Sequence, residues 1–210
     1  SAASDVYKRQ VVADPFGRRA NTRDNAPAML HVEMVAGDRV EFDVSAKGGG
    51  SENKTKFAVL NPSASVADWV VETVEKMGAG WCPPGILGIG IGGSVDKAMV
   101  MAKQSLNEPI DATELRARGA STAEEELRLE LIDRINALGI GAQGLGGMTT
   151  VLDVKVRSFP THAASLPVAL VPNCAATRHV HFALDGSGPA RLSPPDLSDW
   201  PDLDFRDAWK

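Results

Sequence analysis

GWCPPGILGIGIGG, residues 80–93, runs from a cysteine loop into an apolar strand that ends in glycine. SVDKAMVMAKQSL (94–106) follows at once and reads as a helix. Residues 66–77, just upstream, place Val66, Trp69, Val70, Val74 and Met77 on one helical face, with Ser65 as N-cap and Gly78 as the stop. Further upstream, AMLHVEMV (28–35) and RVEFDVSA (39–46) are β-rich runs around Ala36-Gly37-Asp38, and a hairpin with Gly37 in its turn is expected. KGGGSENK (47–54) reads as a polar loop whose glycines allow close backbone approach. Downstream, 122–138 is the clearest helix. Ser121 and Glu124 make a capping-box pattern, Leu127, Leu131, Ile135 and Leu138 form the stripe, and Gly139 ends it. GIGAQGLGG (139–147) then leads to strand-like VLDVKV (151–156), LPVALVP (166–172) and RHVHFAL (178–184). The expected class is α+β: a mixed α/β domain with a β-hairpin, Gly-rich strand–helix turns and several helices.

Composition bounds what such a domain can do. The 210 residues suffice for one domain with a buried core, and 22 Lys+Arg against 27 Asp+Glu give a net charge of −5. That balance argues against nucleic acid as a partner, since phosphate neutralisation needs clustered Lys and Arg. Two cysteines cannot staple a secreted scaffold, and no apolar run of about 18 residues or signal-peptide pattern is present. A chain that interacts with no membrane and works in a reducing, cytoplasmic compartment is expected. Aromatics at 5% with 20 Gly and 13 Pro imply an aliphatic core and many tight loops. The ends differ from the middle. Residues 1–10, SAASDVYKRQ, are basic, aperiodic and resemble a reading frame of the transposon end used in sequencing libraries, so they are read as a non-native scar. Residues 191–210 are acidic and Pro-rich and read as a linker or tail toward a missing domain.

GIGIGG (88–93) matches G-x-G-x-x-G through Gly88, Gly90 and Gly93, which opens a nucleotide-binding reading. A dinucleotide site also wants a second strand ending in an acidic residue about 20 positions on. Residues 104–118 hold no apolar strand, so glycines for strand–helix packing are the favoured reading, with an anion at the helix start between the two. Cys82 in GAGWCPPG and Cys174 in VPNCAATRH fall in short loops rather than on an apolar stripe. Each is either an inert small hydrophobe or a ligand that needs further partners. His179 and His181 alternate along one strand face and read as solvated, while His31 says little. His162, in FPTHAASLP, lies in a loop of small residues twelve before Cys174 and is the best candidate for a site histidine. Arg178 could meet a carboxylate or a surface partner.

Five strings taken together carry a family resemblance: NTRDNAPA (21–28), KGGGSENK (47–54), GWCPPGILGIGIGG (80–93), ALGIGAQGLGG (137–147) and THAASLPVALVPNCAATRH (161–179). They span nearly all of 11–190, and the chain resembles the N-terminal, cluster-binding domain of class I (iron–sulfur) fumarate hydratases and tartrate dehydratase α subunits. The resemblance implies a [4Fe–4S] cluster on three cysteines, with one iron open to substrate. Cys82 and Cys174 match the second and third ligands, and the first would lie upstream of this chain. His162 matches the active-site histidine and Gly49 a glycine whose backbone approaches substrate. Arg23 and Asn25 could support them. The resemblance further implies a C-terminal (β) domain or subunit that completes the site, a homodimer, and reversible hydration of fumarate to L-malate. Tartrate or another small hydroxy-diacid is the alternative substrate, and this piece alone is expected to be inactive.

Overall fold

From Gly88 onward glycine recurs at alternate positions, so the strand Gly85–Gly92 has one smooth face and one aliphatic face. The computed structural model describes residues 11–188; the expected scar at 1–10 and tail at 191–210 lie outside them. In chain order come β1 (Val40–Ala46), α1 (Gly49–Glu52), β2 (Lys56–Leu60), α2 (Val66–Met77) and β3 (Gly85–Gly92). There follow α3 (Val95–Ser105), α4 (Ala112–Arg118), α5 (Ala123–Ala137), β4 (Val151–Phe159), β5 (Leu166–Cys174) and β6 (Arg178–Leu184). The main sheet has the order β2-β5-β3-β4, with β3 parallel to β4 and antiparallel to β5. The domain is therefore mixed α/β, as expected.

The two faces of β3 fix the layers. On the smooth face α3 lies so close that a Cβ on Gly88 would stand 2.0 Å from the Ala102 carbonyl oxygen, and one on Gly90 2.0 Å from that of Ala98. Ala98, Ala102, Leu106, Ala169 and Val171 pack there with Ile86. On the other face Leu87 and Ile89, with Val168 and Leu170 of β5, meet Val70, Val74 and Met77 of α2 and Leu131, Ile132 and Ile135 of α5. Helices thus cover both faces of the sheet. Among the described residues no helix is long and apolar enough to cross a membrane.

The helix ends follow local chemistry. The Ser65 hydroxyl accepts from Asp68 N–H at 3.1 Å, and Gly78 leaves α2 at φ 56°. At α5 the cap moves one residue beyond the Ser121/Glu124 pattern: Thr122 accepts from Glu125 N–H at 3.2 Å. STAEEE offers two overlapping boxes, and Arg118 selects the second by pairing with Glu125. That guanidinium, with the Ser121 N–H and hydroxyl, holds the Glu125 carboxyl down to about 2.

The expected hairpin does not form. Residues 28–35 are not a strand, and Met29, Leu30, Val32, Met34 and Val35 are exposed. β1 instead pairs antiparallel with β6, Val40 opposite Leu184 and Ala46 opposite Arg178. Phe42 stacks on Phe182 at 4.9 Å between ring centroids, a cross-strand contact that the hydrophobic pattern alone does not reveal.

Four charged groups are fixed at the β4 edge. Asp153 is fully buried, and its carboxylate accepts from Lys155 at 2.8 Å, from Arg128 at 3.1 Å and from Asp111 N–H at 3.0 Å. Lys155 and Arg128 also pair with the Asp111 carboxylate. Burial alone would raise the Asp111 carboxyl, but these two cations outweigh it and hold it well below the usual range.

Two outcomes follow from this packing. Gly90→Ala drives a methyl against backbone, which no rotamer relieves, and should cost at least about 1–3 kcal/mol as read from the urea midpoint. Because the folded-state value of Asp111 lies below its unfolded one, the stability it contributes is complete above about pH 4 and is lost as pH falls below that. Unfolding midpoints should therefore drop on acidification, and Asp111→Asn should flatten that drop while lowering stability at neutral pH.

Candidate functional site

Cys82 lies between α2 and β3, in a loop held from three sides. Trp81 is fully buried in the main core, Cys82 N–H donates to the Ala79 carbonyl at 2.9 Å, and Pro83 O accepts from Gln143 N–H at 2.8 Å. Cys82 itself has φ 61°, a left-handed conformation that costs a non-glycine residue about 1–2 kcal/mol, and its side chain is exposed. The surrounding anchors keep it there. Cys174 is the last residue of β5, and its Cα partner across the ladder is Gly85. A Cβ on Gly85 would stand 2.1 Å from Asn173 O, 2.8 Å from the Trp81 ring and 2.9 Å from Cys174 Cα. Pro84 O also accepts from Ala175 N–H at 3.2 Å. The absent side chain of Gly85 thus lets the Cys82 loop close on the end of β5. Both thiols are free.

The KGGGSENK segment flanks this corner. It contains a short helix, α1, where a loop is expected from sequence. Gly50 faces Gly80 O, and α1 packs on β5. Gly48 and Gly49 have open space where a Cβ would stand, and neither has positive φ, so neither packing nor backbone conformation within this chain demands glycine there. Lys47 Nζ donates to Ser51 Oγ at 3.1 Å and pairs with Glu52 at 3.0 Å, and Lys103 pairs with the same carboxylate at 2.7 Å. Burial pushes the Lys47 ammonium below the ordinary lysine value, partly countered by Glu52. For Glu52, burial would raise the carboxyl, but the two ammonium groups outweigh it and hold it low.

The other candidates stand elsewhere. His162 is exposed in the β4–β5 loop, where its Nδ1 accepts from Ala164 N–H at 3.1 Å and Thr161 donates to Gly93 O at 2.9 Å. The whole of β5 separates it from Cys174, about 26 Å at about 3.3 Å per residue. Cys82, Cys174 and Gly49 therefore share one end of the sheet, and His162 belongs to the other. His179 and His181 are exposed on β6, with His181 Nδ1 2.9 Å from Asp43, as a solvated face requires. Arg178 is exposed opposite Ala46. Arg23 and Asn25 adopt positive φ in the loop after the Val12–Asn21 bridge, Arg23 exposed and Asn25 half-buried. Gly88 and Gly90 lie inside β3 against α3 rather than in a phosphate-facing turn, so packing accounts for them. A cavity of about 460 Å³ lined by Lys97, Glu124, Arg157 and Phe159 opens at the far ends of β3 and β4, away from both cysteines. Sequence reasoning missed Lys47, Glu52 and Lys103; the first two lie within a quoted string but carry no motif of their own.

The cluster implied by the resemblance fits the cysteine corner in part. Two free thiols, one in a loop and one at the end of a strand, are suitable ligands for a thiophilic group. They are too few to hold one alone. Among the described residues no group of three or more His, Cys, Asp or Glu could hold a metal ion, so a further ligand must come from outside them.

Comparison with known proteins bears on the same segments. The family model described as "Fumarate hydratase (Fumerase)" matches residues 1–183. The chain is 37% identical over 188 residues to "Putative L(+)-tartrate dehydratase subunit alpha" of Methanocaldococcus jannaschii, covering 84% of this chain and 63% of that one. It is 32% identical over 196 residues to "Fumarate hydratase class I, anaerobic" of Escherichia coli K12, covering 90% and 34% respectively. With "L(+)-tartrate dehydratase subunit alpha" of Escherichia coli UTI89 the figures are 33% over 170 residues, 80% and 54%. The chain thus spans from about a third to under two thirds of these relatives' lengths. On the extent of the family match, the chain belongs to the family of class I fumarate hydratases and tartrate dehydratase α subunits.

Proposed function

We propose that this chain is the cluster-binding half of an iron–sulfur hydro-lyase that reversibly hydrates fumarate to L-malate in the cytoplasm. The observation that carries the reading is the closure of the Cys82 loop on Cys174 at Gly85, in a chain of this family. Cys82 and Cys174 would hold the [4Fe–4S] cluster together with a thiolate from outside the described residues. When bound, the cluster supplies an iron that acts as a Lewis acid toward a substrate carboxylate and hydroxyl. Gly49 would donate its backbone N–H to an anionic substrate oxygen, a role supported by the open space beside it. The C-terminal (β) half, as a domain or a subunit, would supply the remaining substrate contacts. A tartrate dehydratase reading is favoured by the names of two relatives, both α subunits, and differs only in the hydroxy-diacid used.

His162 can serve this reaction only in an assembly that brings the β4–β5 loop of a second copy to the cysteine corner, because its own β5 keeps it away. In the full dimeric enzyme, chains carrying His162→Ala and chains carrying Cys174→Ser should each be inactive, and mixed dimers should regain turnover. No regain would remove His162 from the reaction.

The cluster itself is tested by anaerobic reconstitution with iron and sulfide. In the full enzyme, where a further thiolate completes the ligand set, a broad visible absorption is expected and is lost in the Cys82→Ser, Cys174→Ser double variant, while the 210-residue chain alone should hydrate fumarate negligibly. Absence of the absorption in the unaltered full enzyme, or its persistence in the double variant, overturns the reading.

A further inference from the structure

Lys47 follows directly on β1, one residue past Ala46, whose ladder partner Arg178 is four residues beyond Cys174. Its side chain is only 13% exposed, deep for an ammonium, and such burial is costly unless opposite charge or hydrogen bonds compensate it. The compensation here is incomplete. Glu52 is one carboxylate placed between two ammonium groups, Lys47 and Lys103, so the trio keeps an excess positive charge within a chain of net charge −5. An ammonium has three donors. Lys47 gives one to Ser51 and one to Glu52, and the third has no hydrogen-bond partner among the described residues. Ser51 is itself buried and tied to Gly48 O at 3.1 Å, so the ammonium is held from a fixed point rather than on a swinging arm. Helix α1 begins two residues after Lys47 and packs on β5, whose last residue is Cys174, and the open space at Gly48 and Gly49 adjoins Lys47 in sequence.

We propose that Lys47 binds a carboxylate beside Cys174, and so positions one end of a small diacid at the cysteine corner. The proposal rests on the reading of that corner as the reaction site, and it assigns to this chain a cationic substrate contact of its own. Lys103 and Glu52 would then be positioning residues: Lys103 draws on Glu52, and Glu52 fixes Lys47 without neutralising it fully.

The test needs no cluster and no turnover. In a Cys82→Ser background Cys174 is the sole thiol, and its alkylation is timed with anionic iodoacetate and with neutral iodoacetamide. The ratio of the two rates removes differences in thiol ionisation and access and leaves the attraction of the site for a carboxylate. Lys47→Met should lower that ratio about fivefold, the worth of one charge contact at a partly solvated site, and Lys47→Arg should restore most of it. Fumarate should slow the iodoacetate reaction when Lys47 is present and have little effect in Lys47→Met. Should Lys47→Met fail to fold, added salt in the Lys47 protein serves instead and should pull the ratio toward that of a free thiol. An unchanged ratio in folded Lys47→Met, or a salt-insensitive one, overturns the proposal. Failure of the reconstitution described above would instead strike the cluster reading alone, since this ratio is measured on the metal-free chain.

Discussion

Helix α3 can lie on β3 only because Gly88 and Gly90 lack side chains, and most of the domain's geometry depends on that contact. With backbone oxygens of Ala98 and Ala102 occupying the space of the missing Cβ atoms, the strand and helix approach more closely than larger residues would allow. β3 is thereby fixed as an inner strand with α3 on one face and α2 and α5 on the other, and β5 and β4 line up along its edges. The same device recurs at the strand's beginning. Gly85 admits the Trp81 ring and the Cys174 backbone, so the contact that packs the sheet also carries the two thiols to one corner.

The opposite edge is secured by a different force. Asp153, Lys155 and Arg128 are charged groups removed from water, a burden that hydrophobic packing would not impose. Their near-complete mutual pairing makes the arrangement tolerable. It also joins three segments: β4, where the Val154 oxygen also accepts from Arg128 at 2.7 Å, the start of α4 at Asp111, and the body of α5. Removing one partner would strand the others, which is why such networks resist single substitutions more than they add to stability. The polar edge and the cysteine corner are thus held by separate means, and a change at one need not move the other.

Where local chemistry decides, the sequence was legible. Ser65, Gly78 and the apolar stripe placed α2, and the glycine-spaced run placed β3. Cys82, Cys174 and Gly49 could be singled out by resemblance, and their common location became visible only with the fold. Where distant partners decide, the string is silent or misleads for identifiable reasons. VLDVKV forms β4 as expected, but nothing in the string reveals that Arg128 and Asp111 receive Asp153 and Lys155. AMLHVEMV has the pattern of a strand but no ladder partner among the described residues, while β1 takes its partner from almost 140 residues away through Phe42 and Phe182. His162 was associated with Cys174 by closeness in sequence. An extended strand converts that closeness into separation.

That last conversion bears on how the domain is organised. A strand delivers its two ends to opposite edges of the sheet, so residues flanking β5 cannot converge on one small molecule within a single chain. A reaction drawing on both Cys174 and His162 must therefore be shared between copies, whereas one drawing on Cys174, Gly49 and Lys47 can be prepared within a single copy. The second set is local in a way the first is not: β1 leads to Lys47, α1 carries Gly49, and β6 pairs with β1 to bring both beside the end of β5. The electrostatics agree with that division. The surplus positive charge of Lys47, Glu52 and Lys103 lies at the cysteine end, where thiolates and a diacid would both contribute negative charge. At the His162 end Lys97 stacks on Phe159 and Arg157 pairs with Glu108, so the cations there are already engaged. The corner that is short of negative charge is the one prepared to receive it.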